Sequence, residues 1–220
     1  MEFSNLRVYQ SDGTFKTGGL SISDDRIASA EVSADAVDMG GLYAVPGLVD
    51  LHFHGCMGRD FCDGTHEAIS TLAKYQAQIG VAAICPATMT YPEDKLTQIA
   101  EAAATYQVES NDAALVGINM EGPFIHPAYK GAHEENYIAD FDFDFMKQYS
   151  DVIRVVTVAP DKEGGMEFIR KVTTETPIKV SIGHTAATYE QAMEAIENGT
   201  AVYTPQDDAL ATHTGKIQKE

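Results

Sequence analysis

The chain has 220 residues and a formal net charge of -18, from 33 acidic residues against 15 lysines and arginines. So acidic a chain lacks the basic patches that bind phosphate backbones, which excludes nucleic acid as an expected partner. Its three cysteines form no C-x-x-C pair. The sequence shows no signal-peptide pattern, and no stretch reaches the about 18 apolar residues of a membrane span. We therefore expect a cytoplasmic protein without membrane contact.

The first predicted elements are short. Residues 1–41 contain alternating segments separated by SDG, GG and SDD turns, a pattern that predicts small antiparallel strands. The pattern changes at residue 42, where the near-continuous apolar run LYAVPGLVDLHFH predicts a strand buried on both faces. The following segment, THEAISTLAKYQAQIG, predicts a helix that ends at Gly80.

Further along the chain, predicted strands and helices alternate. VAAICPAT predicts a strand, and Thr90 with Glu93 predicts a capping box for the next helix. Four further strands are predicted by ALVGINMEG, VIRVVTVAP, IKVSIGH and TAVYT. Helices are predicted by GGMEFIRKVTTE and by a segment that Thr188 and Gln191 cap. This alternation predicts βα units around a parallel sheet.

Polar residues follow the C-terminal ends of the apolar strands: His52 and His54, then Glu121, then His184. In an open, doubly wound sheet the first and fifth strands need not be close, whereas in a barrel their ends meet at one mouth. We therefore predict an α/β fold with a partial (β/α) barrel over residues 42–204. Its six strands do not close a barrel.

The pair His52 and His54 carries the first chemical signal. Residues i and i+2 of a strand face the same side, and two adjacent imidazoles in an apolar setting are costly unless a partner such as a divalent metal satisfies them. Glu121 could merely cap its loop, and any one histidine could be a hydrogen-bonded core residue. Together with His184, the four residues favour a metal site at the strand ends.

Four segments carry a family resemblance: VPGLVDLHFHG, MEGPF with KGAH at 120–133, VTVAP at 156–160, and SIGHTAATYEQAMEAIENG at 181–199. With them the chain resembles the amidohydrolase superfamily and, within it, the N-acetylglucosamine-6-phosphate deacetylases. PGLVDLHFHG is typical of the superfamily, whereas EGPF followed by KGAH is much more specific to the deacetylases. The resemblance implies a metal-dependent hydrolase with a TIM-like barrel, and assigns residues 1–41 to part of a small β-sandwich.

The resemblance also implies roles for individual residues. The implied metal ligands are Glu121 and His184 at the principal position, with His52 and His54 at a second position. His133 is implied to polarise the acetamide carbonyl and, with Ala132, to contact substrate; without the resemblance, His133 would be interpreted as an exposed loop residue. The implied cofactor is a divalent metal, zinc with iron as the alternative. The implied substrate is an amino-sugar phosphate, N-acetylglucosamine 6-phosphate, hydrolysed to glucosamine 6-phosphate and acetate.

The sequence departs from the family pattern after residue 199. Pro205 stands where the family has a third metal-binding histidine. Asp208 and Ala209 fall where an Asn-Ala pair contacts substrate, a weak correspondence. Residues 205–220 are interpreted as a divergent polar tail, and the family's catalytic aspartate would lie beyond Glu220.

These departures predict a chain that is truncated after about the sixth strand and inactive alone. Because missing strands leave unpaired edges, we expect a homo-oligomer. Two alternatives remain open at this point: an amidohydrolase that acts on cyclic amides, and a non-catalytic module that binds metal or a sugar phosphate.

Overall fold

The computed structural model describes residues 1–24, 26–109 and 111–200, and the backbone of residues 202–203. Contacts between Cα atoms divide the chain into two compact units, Met1–Gly47 and a second that begins at Leu48. The boundary predicted from the sequence, after residue 41, precedes this division. The predicted polar tail of residues 205–220, with Pro205, Asp208 and Ala209, lies outside the described residues.

The first unit is a small β-sheet. Its strands are β1 (Glu2–Tyr9), β2 (Phe15–Ser23), β3 (Arg26–Ser29), β4 (Val37–Asp38) and β5 (Tyr43–Ala44). The prediction of antiparallel strands is confirmed for β1, β2 and β3. It is wrong for β4, which pairs parallel with β1; β5, which lies beyond the predicted segment, also pairs parallel with β1. Gly40 and Gly41, both at positive φ, form a turn that carries the chain onward along the same edge of β1 instead of reversing it.

The second unit alternates strands with helices, which confirms the predicted α/β class. Its strands are β6 (Leu48–Asp50), β7 (Gly55–Cys56), β8 (Arg59–Asp60), β9 (Val81–Ile84), β10 (Ala114–Leu115), β11 (Ile118–Met120), β12 (Ile153–Val158), β13 (Lys179–Ile182) and β14 (Val202–Tyr203). Its helices are α1 (His66–Gln78), α2 (Glu93–Thr105), α3 (Phe143–Gln148), α4 (Gly165–Glu175) and α5 (Tyr189–Glu197). In the described part of the chain, no helix is both long and apolar enough to span a bilayer.

Strands β7 and β8 pair with each other antiparallel, and the other strands of the second unit stand side by side in chain order. One sheet has the order β10-β9-β6 and another β11-β12-β13-β14, and every pair in both is parallel. A single parallel bridge between Ala87 and Asn119 connects the two sheets. Because all these strands run the same way, the loops that follow them emerge on one side.

The apolar run from residue 42 to 54 is not one buried strand, so that prediction is wrong. Only Tyr43–Ala44 and Leu48–Asp50 are strands, and Leu48 and Val49 are 63% and 56% exposed. Pro46 lies between the two strands and has no N–H to donate to a ladder. Among the described residues, β6 pairs only with β9, which leaves its other edge and its apolar side chains open.

Helix starts show where local signals succeed and fail. The Thr188–Gln191 capping box at α5 is confirmed. The Thr90–Glu93 box is wrong, because α2 starts later, at an N-cap of Pro92 that makes no side-chain bond. Helix α3 was not predicted; its sequence FDFMKQ begins with alternating apolar and acidic residues, which hides the helical period.

The main core of the second unit packs helices against the parallel strands. Ile69 and Leu72 of α1, Ile99 of α2 and Ile169 of α4 are almost completely buried. Helix spacing places these side chains on the faces that meet the sheet. The helices therefore support the strands along one face of the sheet and leave the C-terminal ends of the strands available for polar residues.

The three cysteines should differ sharply in reactivity. Cys62 and Cys85 are 4% and 1% exposed, and burial raises the pKa of each thiol to about 12. At pH 8 only about one buried thiol in ten thousand is therefore the reactive thiolate. Cys56 is partly exposed, and burial raises its pKa too. We expect a disulfide reagent such as Ellman's to label one thiol quickly in the folded protein and three in denaturant.

The matched variant for this thiol titration is Cys56→Ser. It should leave no fast-reacting thiol in the folded protein and two in denaturant. Fast labelling of folded Cys56→Ser would contradict the burial of Cys62 and Cys85.

Candidate metal centre

Glu121 lies at the centre of the site, directly after β11. It is 1% exposed. Its N–H donates to Oγ1 of Thr88 at 3.1 Å, and the Thr88 hydroxyl donates to the Glu121 carbonyl oxygen at 3.2 Å. These two bonds tie the end of β11 to the segment after β9. The carboxylate is thereby fixed in a buried position without using its own oxygens.

His184 follows β13 and contacts the Glu121 carboxylate. Its backbone adopts a left-handed conformation, with φ of 49°. Nε2 lies 2.9 Å from Oε1 of Glu121, and Nδ1 lies 2.8 Å from the carbonyl oxygen of Tyr129. A carbonyl oxygen can only accept, so Nδ1 carries a proton. Nε2 is then the nitrogen of His184 through which a metal could bind.

The loop that carries His184 is held by neighbouring polar groups. The N–H of His126 donates to the His184 carbonyl oxygen at 2.9 Å. The carboxylate of Asp161 accepts from the Thr185 hydroxyl and, at 3.2 Å, from the N–H of Ala186. Such bonds around a candidate ligand restrict its ring to one orientation.

His52 and His54 point toward the other carboxylate oxygen. Nε2 of each lies 3.4 Å from Oε2 of Glu121, although residues 51–54 form no strand. Nε2 of His52 and Nδ1 of His54 are buried and have no hydrogen-bond partner among the described residues. Nδ1 of His52 lies 3.1 Å from Nδ2 of Asn119, which also donates to the Leu51 carbonyl oxygen at 2.9 Å.

His133 completes the cluster and is buried, 3% exposed, not on the surface as its loop position alone suggests. Nε2 lies 3.9 Å from Oε2 of Glu121, and the ring packs edge-on against His184 with centroids 4.8 Å apart. Burial lowers the pKa of His133 to about 4, which outweighs the opposite effect of Glu121. The ring is therefore neutral at pH 7. Ala132, its neighbour, is exposed.

Glu121 is ionised in this setting. Burial raises the pKa of its carboxyl group, but the hydrogen bond with His184 and the adjacent His52 lower it by more. The net pKa lies well below the ordinary value of a glutamate. A buried anion thus faces imidazole nitrogens on several sides.

The residues present fit a divalent metal. Two groups have ligand atoms within 4.8 Å of one another, His52–His54–Glu121 and Glu121–His133–His184. Two imidazole nitrogens are buried without a hydrogen-bond partner in the described part of the chain, and burial without a partner is costly. A donor set of imidazoles with a carboxylate suits zinc and iron.

Sequence reasoning missed several groups that hold these side chains. Thr88, Thr90 and Asn119 are each buried, at 2%, 2% and 4% exposure. Thr88 and Thr90 follow β9 two residues apart, the same spacing as His52 and His54, and that pattern could have revealed them. The carbonyl of Tyr129 leaves no trace in the sequence, because any residue supplies one.

Comparisons with known proteins relate the chain to amidohydrolases and to deacetylases of amino-sugar phosphates. The amidohydrolase family model matches residues 43–219. An N-acetylglucosamine-6-phosphate deacetylase of Vibrio furnissii is 33% identical over 171 residues, which cover 76% of this chain and 43% of that protein. An N-acetylgalactosamine-6-phosphate deacetylase of Escherichia coli O157:H7 is 29% identical over 199 residues, which cover 88% of this chain and 52% of that protein.

A solved structure shows the same relationship. The crystal structure of N-acetylglucosamine-6-phosphate deacetylase from Pasteurella multocida is similar with a TM-score of 0.81 and 25% identity. The match covers 94% of this chain and 57% of that one. The chain thus spans about half the length of the curated relatives it matches.

Proposed function

The chain belongs to the amidohydrolase family, and on that premise we propose that its centre serves the deacetylation of N-acetylglucosamine 6-phosphate to glucosamine 6-phosphate and acetate. The observation that carries this proposal is the convergence of Glu121 with four histidines from the segments that follow the parallel strands β6, β11 and β13. The deacetylase names of the similar proteins support the substrate class. We place the protein in the cytoplasm.

We propose that zinc, with iron as the alternative, is held by Glu121 and Nε2 of His184, with His52 and His54 serving a second position. When bound, such a metal acts as a Lewis acid and makes water a nucleophile near neutral pH. The chain's own contribution is a buried carboxylate and pre-oriented imidazoles. His184 is the best prepared, because the Tyr129 carbonyl already occupies its Nδ1.

We propose that His133 binds the acetamide carbonyl of the substrate. Burial keeps its ring neutral at pH 7, so one nitrogen accepts and the other donates. A donor aimed at the carbonyl oxygen stabilises the charge that develops there as the acetyl carbon is attacked. Ala132, which is exposed in the same loop, would contact the sugar. The proposed contacts of Asp208 and Ala209 fall outside the described residues.

We also propose the finer features of the fold. The parallel strands of the two sheets, β10-β9-β6 and β11-β12-β13-β14, support a partial (β/α) barrel over residues 42–204. Residues 1–41 would form part of a β-sandwich, and residues 205–220 a divergent tail. The open edge of β6, with exposed Leu48 and Val49, supports self-association into a homo-oligomer.

The proposed function is tested with zinc-loaded protein made in a host without its own deacetylase. In keeping with the low activity predicted for this chain alone, we expect only slow acetate release from N-acetylglucosamine 6-phosphate, measured beside N-acetylgalactosamine 6-phosphate and a cyclic amide. Ring opening of the cyclic amide without acetate release would favour the other kind of amidohydrolase. Calorimetric binding of the sugar phosphate without turnover would favour a non-catalytic binding module. A protein that shows neither binding of the sugar phosphate nor turnover would refute the proposal.

A further inference from the structure

Thr90 makes an unusual contact within the centre. It is 2% exposed and follows β9. Its backbone N–H donates to Nδ1 of His133 at 3.1 Å, and its Oγ1 lies 2.8 Å from the same nitrogen. One ring nitrogen of His133 therefore faces two groups of a single residue, 43 positions earlier in the chain.

The backbone N–H decides which nitrogen of His133 carries the proton. An N–H group can only donate, so Nδ1 must offer its lone pair. If Nδ1 were protonated instead, two hydrogens would face each other and the Thr90 amide would be buried without an acceptor, a cost of about 1–3 kcal/mol. In the neutral ring the proton then belongs to Nε2, the nitrogen 3.9 Å from Glu121.

We infer that Thr90 is a positioning residue that holds His133 as its Nε2–H tautomer, so that His133 presents a hydrogen-bond donor to the centre and is not a metal ligand. The catalytic meaning of this donor rests on the proposed deacetylation. The geometric grouping of Glu121, His133 and His184 by itself allows His133 as a ligand. The contact with Thr90 removes that choice, since a metal needs the Nε2 lone pair.

The same reasoning separates His133 from the other histidines. Nδ1 of His184 faces a carbonyl oxygen and so donates, and the nitrogen that faces Glu121 and could bind a metal is Nε2. Nδ1 of His52 faces the side-chain amide of Asn119. A half-turn of the Asn119 side chain would exchange its amide oxygen and nitrogen, at the expense of its bond to the Leu51 carbonyl oxygen. Its Oδ1 is buried without a partner among the described residues, so the Asn119 side chain does not fix which nitrogen of His52 carries the proton. A backbone amide has no such freedom.

The backbone of His133 is also held within its own loop. The N–H of His133 donates to the Lys130 carbonyl oxygen at 3.0 Å, and Nζ of Lys130 donates to the His133 carbonyl oxygen at 3.1 Å. A Cβ at residue 122 would overlap Oγ1 of Thr90, so glycine at this position leaves the room that the hydroxyl occupies. The His133 side of the Thr90–His133 contact is thus held before any ligand arrives, and such preorganisation is how an active site avoids reorganisation during reaction.

The test is nitrogen-15 NMR of the protein labelled in its histidines, with and without zinc. Long-range proton–nitrogen correlations distinguish the two tautomers, and loss of signals in His133→Asn assigns them. We expect an unprotonated Nδ1 and a protonated Nε2 on His133 at pH 7 in both samples. A protonated Nδ1, or a shift of Nε2 to a zinc-bound position, would overturn the inference.

Variants of Thr90 test whether the residue itself is responsible. Thr90→Val keeps the backbone N–H and removes the hydroxyl. The tautomer should therefore persist, while the Nδ1 resonance shifts because this nitrogen accepts one hydrogen bond fewer. Thr90→Ser should restore the original resonance. An unchanged Nδ1 resonance in Thr90→Val would contradict the role of the hydroxyl. None of these signals requires turnover, so a protein that holds the Nε2–H tautomer but releases no acetate would refute only the proposed function.

Discussion

Replacing Glu121 by glutamine is expected to abolish stoichiometric zinc binding. The substitution keeps the shape of the side chain but removes the negative charge toward which the imidazoles of His52, His54 and His184 converge. Loss of a group that merely supports a ligand typically costs about 10- to 100-fold in metal affinity, so loss of the central carboxylate should cost at least about 100-fold. The measurement is a competition titration against a chromogenic chelator, with metal content after dialysis as a second readout.

The matched control for this experiment is Glu134→Gln. Glu134 lies in the loop next to His133 and is exposed, and among the described residues its side chain bonds only to the neighbouring Asn136. It should bind zinc as tightly as the unmodified chain. Glu121→Asp, which keeps the charge on a shorter side chain, should fall between the two. Equal zinc affinity in Glu121→Gln and the unmodified chain would show that this carboxylate is not a ligand.

The position of Glu121 illustrates what the sequence predicts well. An apolar strand followed by one acidic residue is a local pattern, and parallel strands bring their C-terminal ends to the same side. The same logic predicted that His52, His54 and His184 would lie near Glu121, and their nitrogens do lie within 3.4 Å of its oxygens. The same logic wrongly placed His52 and His54 on a strand, because the strand ends at Asp50.

Thr90 illustrates what the sequence could not predict. A threonine three residues before a glutamate matches the local pattern of a capping box, and no neighbouring residue suggests another role for Thr90. Its actual partner, His133, lies in a separate loop that only the tertiary fold brings close. The burial of His133 follows from the same long-range contact. Local patterns identify residues that end strands, but they carry no information about which loop folds over them.

Gly122→Ala is expected to be among the most destabilising single substitutions near the centre. Gly122 has φ of +69°, where an alanine costs about 1–2 kcal/mol. An added Cβ would also overlap Oγ1 of Thr90 and lie 3.1 Å from its Cβ. Overpacking of this kind typically costs about 1–3 kcal/mol more. We therefore expect a loss of about 2–5 kcal/mol in the free energy of unfolding, measured by urea titration of the metal-free protein.

Two further variants separate the backbone term from the clash. Gly80 has φ of +91° and no heavy atom within 4 Å of an added Cβ, so Gly80→Ala should cost only the about 1–2 kcal/mol of the left-handed backbone. In a Thr90→Ala background the overlapping hydroxyl is gone, and Gly122→Ala should then cost less than it does beside threonine, a coupling that a double-mutant cycle measures. Because a displaced Thr90 also releases His133, Gly122→Ala should move the His133 nitrogen resonances, whereas Gly80→Ala should not. Equal losses of stability in Gly80→Ala and Gly122→Ala, with no coupling to Thr90, would show that Gly122 is needed only for its backbone conformation.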